Sequence, residues 1–346
     1  MTKAAQASLA AAMIVRNEAR CITRCLESVR PFVDKMVVLD TGSTDQTMEL
    51  ARKAGALVYE MPWPGSFAEA RNRSLELADA DWNLIIDADE WIVSGGPNLR
   101  SWRHAPDRLG AVCVRSLCDA VQERNGENTP THTQNWLTRF LPRGVRFERR
   151  VHEQVVSDLS CLKIQLHIQH DGYLQSQLET KADRNTSLLW QDLEERPGDA
   201  YILYHLGQEA SKRAEFAQAC DLLRQSMALT PKNANWEHGL TIRYLYCLSQ
   251  GGELDKALIH AHENLGRFQH SPDFFFITGN IALAKAAADP GNALGEWIPL
   301  ALSSWERCLE IGDQPDLEDS VRGVGSHLAQ GNLNFLRSSL SALKVG

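Results

Sequence analysis

Three polar clusters carry the residue types that do chemistry: Arg16-Asn17-Glu18, Asp40-Thr41-Gly42-Ser43-Thr44-Asp45 and Asp87-Ala88-Asp89-Glu90. In the third, Asp87 and Asp89 follow the apolar run WNLII with one residue between them, so their carboxylates can reach a common region beyond a sheet edge. Hard oxygen donors of that kind suit Mg²⁺ or Mn²⁺. The chain contains neither GxxxxGK[ST] nor GxGxxG, so a bound diphosphate would have to be neutralised by metal and arginine. Arg71 and Asn72 are candidates, as are one or two of Arg139, Arg143, Arg146, Arg149 and Arg150, whose planar forks suit phosphate oxygens.

The elements around these clusters explain how they could meet. From residue 9 to 90 short apolar runs (9–15, 36–39, 57–59, 82–86) alternate with amphipathic stretches (18–29, 44–54, 67–78), the pattern of a parallel α/β sheet. Ser43 with Gln46 reads as a capping box and Gly55 as a left-handed stop, which ends the preceding strand at Asp40 or Thr41. Ligands of such sheets bind beyond the carboxyl ends of the strands, where all three clusters fall. Residues 91–170 lose the rhythm and read as an α+β continuation with antiparallel strands at 111–117, 136–141, 145–147 and 162–167. His167 and His170 fall on opposite faces of the last strand, which leaves His170 alone to line the cleft. Cys21 and Cys25, four apart on the first amphipathic helix, read as core.

Beyond Leu178 the pattern is helical to the end, giving a division into 1–177 and 178–346. Leu203-x2-Leu206-Gly207-x2-Ala210, Ala219-x3-Leu223 and Pro231 follow the skeleton of a tetratricopeptide repeat. Ala257 with Ala261, then Gly279 with Ala301 and Trp305, mark two looser copies, the last with an insertion around Asp289 to Gly295. The net charge of −8 over 346 residues argues against nucleic acid as a main partner. Eight dispersed cysteines without CxxC fit reduced thiols in a cytoplasmic protein, and no run approaches the roughly 20 apolar residues of a membrane span. The stretch Ala7 to Val15 reads as a first strand rather than a signal peptide.

Taken in order, MIVRNE, VVLDTGSTDQT, FAEARNRSLELA, WNLIIDADE and RFERRVHEQ resemble the family 2 glycosyltransferases of GT-A fold. With helical repeats appended, the chain is most similar to the subgroup that includes SunS-type peptide glycosyltransferases. The resemblance implies a mixed α/β sheet with helices on both faces, then an all-α tetratricopeptide-like domain. It implies a metal-dependent, inverting hexosyl- or N-acetylhexosaminyltransferase using a UDP-sugar with Mn²⁺ or Mg²⁺. By the same resemblance Asn17 and Glu18 floor the nucleotide, Asp40 partners uracil, Ser43 and Asp45 support that turn, and Arg71 contacts base or phosphate. Asp87 lies near the ribose and metal, Ala88 belongs to the nucleotide-sugar site, and Asp89 ligates the metal. Glu153 is the candidate base, and His152 is open to three roles: metal ligand, diphosphate binder or base. Trp63, between Pro62 and Pro64, forms either a wall for the sugar or a local packing contact.

Repeat solenoids suit extended chains, which favours a peptide or protein acceptor. A saccharide or lipid-linked acceptor in surface polysaccharide synthesis is the alternative, and a repeat scaffold with a vestigial nucleotide site is the rival from another class. A homodimer through the repeats is also compatible with the sequence.

Overall fold

The computed structural model describes residues 7–103, 108–124, 127–171, 175–317 and 319–343. The chain divides into two compact units, Met1–Asp192 and Leu193–Gly346. The expected division after residue 177 falls near the start of helix α5 (Gln175–Glu195), most of which belongs to the first unit.

In the first unit, β1 (Leu9–Val15), α1 (Ile22–Val29), β2 (Lys35–Asp40), α2 (Thr47–Lys53), β3 (Leu57–Glu60), α3 (Phe67–Ala78) and β4 (Trp82–Ile85) alternate as the periodicity requires. They are followed by β5 (Glu90–Ser94), α4 (Asn98–Trp102), β6 (Arg108–Arg124), β7 (Glu127–Pro142), β8 (Arg146–Glu148), β9 (Gln154–Val156) and β10 (Ser160–His170). The eight-stranded sheet runs β3-β2-β1-β4-β7-β6-β10-β5, and β8 and β9 form a separate antiparallel pair. Strands β3, β2, β1 and β4 are mutually parallel, and β7 joins β4 antiparallel. The expectation of purely antiparallel continuation holds for β6–β7 and β10–β5 but fails for β10, which lies parallel to β6. The chain reverses at β7 and travels through β8 and β9 before returning, so β10 re-enters the sheet in the direction of β6.

Side chains of β1 alternate between two cores, as a period of two demands. Leu9, Ala11, Met13 and Val15 pack with Ile22, Cys25, Leu26 and Val29 of α1 and Ala51 of α2. Ala10 and Ala12 face the other way, toward Ala68 and Ala78 of α3. Ser66 caps α3 by accepting from the Glu69 amide at 3.2 Å, and Asp79 in the left-handed region ends it.

The second unit is helical throughout its described elements: α6 (Ala200–Lys212) with α7 (Phe216–Leu229), α8 (Glu237–Gln250) with α9 (Leu254–Asn264), α10 (Pro272–Ala288) with α11 (Ile298–Ile311), and α12 (His327–Leu343). The small residues of the repeat pattern are where helices touch. A Cβ on Gly207 would stand 2.6 Å from Leu223 Cγ, and one on Gly279 would stand 2.5 Å from Trp305 Nε1. The insertion becomes a π-helical turn, Ala293–Trp297, fastened by Trp297 Nε1 donating to Asp289 Oδ2 at 3.0 Å.

Candidate active site

Parallel pairing sets three strand ends at one edge, since Val15 stands opposite Asp40 and Ala12 opposite Ile85. The loops leaving that edge are sewn together. Asn17 takes a left-handed backbone (φ 57°), its amide donates to Ser43 Oγ at 2.8 Å, and its Oδ1 accepts from the Thr44 amide at 2.8 Å. The Glu18 amide donates to Thr47 Oγ1 at 2.7 Å, and the Ala19 amide donates to Asp45 Oδ2 at 3.2 Å. These bonds consume the groups expected to cap α2. Ser43 holds Asn17 rather than forming a capping box with Gln46, and the helix starts at Thr47, whose amide Asp45 Oδ1 accepts at 3.0 Å.

Asp40 is 2% exposed. Its Oδ1 accepts from the amides of Gly42 (2.9 Å) and Ser43 (2.7 Å), while Oδ2 is buried without a partner. Gly42, at φ 110°, supplies the backbone that brings both amides round to one oxygen.

Beside β4 lies a partly buried ion cluster in which Arg71 and Glu90 are buried and Asp87, Arg139 and Glu153 half-buried. Arg71, from α3, donates Nε to Glu153 Oε1 and Nη2 to Asp87 Oδ1 at 2.9 Å. Arg139, from β7, donates Nη2 to Asp87 Oδ2 at 2.9 Å and to Glu90 Oε1 at 3.3 Å. Glu90 Oε2 in turn accepts from the Asp87 amide at 2.8 Å. Burial opposes ionisation of Asp87, but the two guanidiniums outweigh it and hold the carboxyl far below its usual range. For Glu90 burial wins, reinforced by the Asp87 charge, and the carboxyl is pushed up despite Arg139. Arg71 Nη1, like Asp40 Oδ2, is buried without a partner. Cys25 Sγ donates to the Asp87 carbonyl at 3.3 Å and ties α1 to this turn.

Asp89, 7% exposed, meets His170: Asp89 Oδ2 lies 3.4 Å from His170 Nε2, and His170 Nδ1 is 3.0 Å from Ser116 Oγ. Burial works against the imidazolium, but the hydrogen bond and charge of Asp89, with Glu90 and Asp87 behind it, raise the His170 pKa. The next residue, Asp171, is clamped by Arg20 (3.1 and 3.2 Å) and Arg24 (2.5 Å), and Arg24 lies 3.6 Å over the Trp91 ring. The Asp171 amide donates to the Asp89 carbonyl at 3.3 Å.

The expected residues thus fall into two groups around the strand ends: Asn17, Glu18, Asp40, Ser43 and Asp45 in one, and Arg71, Asp87, Asp89 and Glu153 in the other. Ala88, 4% exposed, packs into the α1 core. His152 takes a left-handed backbone (φ 50°) in the β8–β9 connection next to Glu153. Trp63 packs edge-on against Phe67, with ring centroids 4.8 Å apart. Of the arginine group, Arg139 reaches Asp87, whereas Arg143 pairs with Asp79 and Asp81 and Arg146 with Glu76 at the surface. Glu90 belongs to the third cluster but carries no assigned role in the sequence reading, and Arg20, Arg24 and Asp171 are not expected from it. The i, i+4 spacing of Arg20 and Arg24 was the one local sign of a shared anionic partner.

Among the described residues no three His, Cys, Asp or Glu side chains gather as a metal cage. Asp89 with His170 offers one oxygen and one nitrogen donor side by side. That set fits a cation that takes few protein ligands and completes its shell with phosphate oxygens and water.

The model of "Glycosyl transferase family 2" matches residues 11–148, a span holding all three clusters, Arg71 and Arg139. A TPR repeat-containing protein of Synechococcus elongatus is 31% identical over 313 residues, 82% of this chain and 75% of its own. The chain belongs to glycosyltransferase family 2. The glycosyltransferase SunS of Bacillus phage SPbeta is 27% identical to this family 2 chain over 248 residues, 68% of this chain but only 57% of that relative. A solved glucosyl-3-phosphoglycerate synthase from Mycobacterium tuberculosis, complexed with Mn²⁺, UDP and glucosyl-3-phosphoglycerate, matches at 27% identity over 32% of this chain and 44% of its own. Its TM-score is 0.26, too slight an overlap to carry a structural argument. Among the described residues no helix of this transferase is long and apolar enough to cross a membrane.

Proposed function

We propose that this glycosyltransferase moves a sugar, with inversion, from a UDP-sugar to a peptide or protein acceptor, assisted by Mn²⁺ or Mg²⁺. The observation that carries the reading is the pair of orphaned buried atoms, one acceptor and one donor: Asp40 Oδ2 and Arg71 Nη1. Buried polar atoms without partners are costly, and a ligand that supplies the partners removes the cost. Uracil presents an N3–H for Asp40 Oδ2, and a diphosphate or pyrimidine carbonyl presents oxygen for Arg71 Nη1. Asn17, Glu18, Ser43 and Asp45 hold the floor beneath the base in one shape.

Asp87 has both oxygens committed to arginine, so its part is to fix Arg71 and Arg139 beside the ribose and diphosphate. Asp89 and His170 would hold the cation; when bound, it supplies positive charge to the departing diphosphate. Glu153, with Oε1 on Arg71 Nε, offers Oε2 for the proton that the acceptor loses as it attacks the anomeric carbon, with His152 adjacent. The peptide acceptor rests on the helical repeats, since stacked hairpins build long surfaces for extended chains.

A panel of UDP-sugars with Mn²⁺, read by UDP release with and without candidate acceptors, tests the reading. One donor is expected to turn over, and Asp89→Ala to silence it. No binding and no release across every donor would overturn the reading in favour of a scaffold.

A further inference from the structure

The α11–α12 connection does more than join two helices. Asp313 closes its neck: Oδ1 accepts from the amides of Gly323 (3.0 Å) and Gly325 (2.8 Å), and Oδ2 accepts from Ser326 Oγ (2.9 Å). Asp313 and residues 323–326 therefore close on each other as the neck of a loop of the Ω type. Its tip lies across the first helices of all three hairpins. Asp319 Oδ2 accepts from Tyr204 OH of α6 at 2.7 Å. Gly239 of α8 leaves the room for this pair, because a Cβ there would stand 2.5 Å from Asp319 Oδ2 and 2.6 Å from Tyr204 OH. Asp273 of α10 takes both Ser320 Oγ (2.8 Å) and the Val321 amide (2.7 Å).

The two sides of this contact differ in character. Tyr204 and Asp273 are built into the helices, 2% and 4% exposed, and Trp236 stacks on Tyr204 with centroids 5.8 Å apart. The tip is a surface segment: Asp319, Val321 and Arg322 are exposed, and Ser320 alone is buried. The fixed polar face grips a turn, with Asp319 at φ 58° and the Ser320 amide donating to the Leu317 carbonyl at 3.2 Å, by a carboxylate, a hydroxyl and a main-chain amide, and the neck's hydrogen bonds do not involve the tip.

We infer that the face formed by α6, α8 and α10 is a peptide-binding site, occupied in the free protein by its own residues 319–321, and that its partner is a peptide segment that takes a turn and carries a carboxylate residue directly before a serine or threonine. Such a peptide offers Tyr204 and Asp273 the groups that the tip now offers. As a tethered ligand the tip acts at an effective concentration on the order of millimolar, so an incoming peptide competes with it. The link to catalysis rests on the peptide-acceptor reading above, whereas the binding itself does not.

The test is fluorescence anisotropy of a labelled peptide of residues 314–323 added to the full-length chain. Asp319→Ala with Ser320→Ala frees the face, and the peptide is expected to bind that variant at least tenfold more tightly than wild type; Tyr204→Phe added to it reverses the gain. A folded double variant that binds no better than wild type, or that binds a scrambled peptide equally well, overturns the inference. Should the double variant not fold, hydrogen exchange in the wild-type chain decides: excess unlabelled peptide should speed exchange of the Val321 amide, and unchanged exchange at saturating peptide overturns the inference. Sugar transfer is not read in either arm, so failure of the donor assignment and failure of this one are separable.

Discussion

His170 Nε2 stands 3.4 Å from Asp89 Oδ2 at the junction of β10 and the β4–β5 turn. This pairing joins a strand end read early in the sequence to one read late, and it makes His170 the nearest imidazole partner of the proposed metal ligand. Replacement His170→Gln is expected to weaken Mn²⁺ binding in the presence of UDP by about tenfold or more, the scale on which groups that orient or share a ligand act. Titration calorimetry or manganese paramagnetic resonance measures it. A larger loss in His152→Gln would transfer the role to His152.

Asp40 has one oxygen satisfied by two amides and one with no partner. Cytosine carries an acceptor where uracil carries N3–H, so wild type should prefer UDP to CDP by roughly 10- to 100-fold, the cost of an unmatched buried group. Asp40→Asn should narrow that preference. Competition binding with the two nucleotides reads both values.

Arg71 is 6% exposed and binds Asp87 and Glu153 together. Arg71→Met leaves two half-buried carboxylates without it and should cost about 1–3 kcal/mol of stability, seen as a lower denaturation midpoint. Glu153→Gln keeps the shape, and as loss of the proposed general base it should lower kcat by about 10²- to 10⁴-fold with little change in donor KM.

Gly279 approaches the Trp305 indole so closely that a Cβ would stand 2.5 Å from Nε1. Gly279→Ala should therefore destabilise the helical unit by about 1–3 kcal/mol through overpacking, lowering Tm by about 2–4 °C for each kcal/mol. Gly266, with open space where its Cβ would lie, serves as the control, and Gly266→Ala should shift Tm far less.

Burial pushes the Cys25 thiol well above its usual range and Cys308 up to about 12, so neither is a thiolate near neutrality. Cys161 is exposed. With iodoacetamide at pH 8, mass mapping should find Cys161 modified well before Cys21, Cys25, Cys247 or Cys308, and denaturant should remove the difference.

What could be read from the sequence is what depends on neighbours along the chain. The run 9–15 became β1, β2 ended at Asp40, and α3 spans Phe67–Ala78 because Ser66 caps it. Gly207 and Gly279 proved to be the points of helix contact that a repeat pattern requires. The start of α2 was misread because Ser43 and Asp45 serve Asn17 and Ala19, bonds that exist only once β1 and β2 are paired. Partners across the sheet were equally hidden. Nothing near Asp171 in the chain announces Arg20 and Arg24, and nothing near Asp87 announces Arg139. The loop 313–326 has no periodicity at all, so its role rests wholly on where its tip lands.

Strand β1 divides its side chains between two interiors: Leu9, Met13 and Val15 toward α1 and α2, and the buried Ala10 and Ala12 toward α3. Inserting a single residue within β1 would swap the two sets on one side of the insertion, forcing methionine or leucine to where Ala10 or Ala12 now meets Ala68 and Ala78 of α3. The same shift would rotate Asn17 off Ser43 and Thr44 and unpick the contacts between the strand-end loops. A chain that miscounts within this strand loses its interior and the contacts of its strand-end loops together.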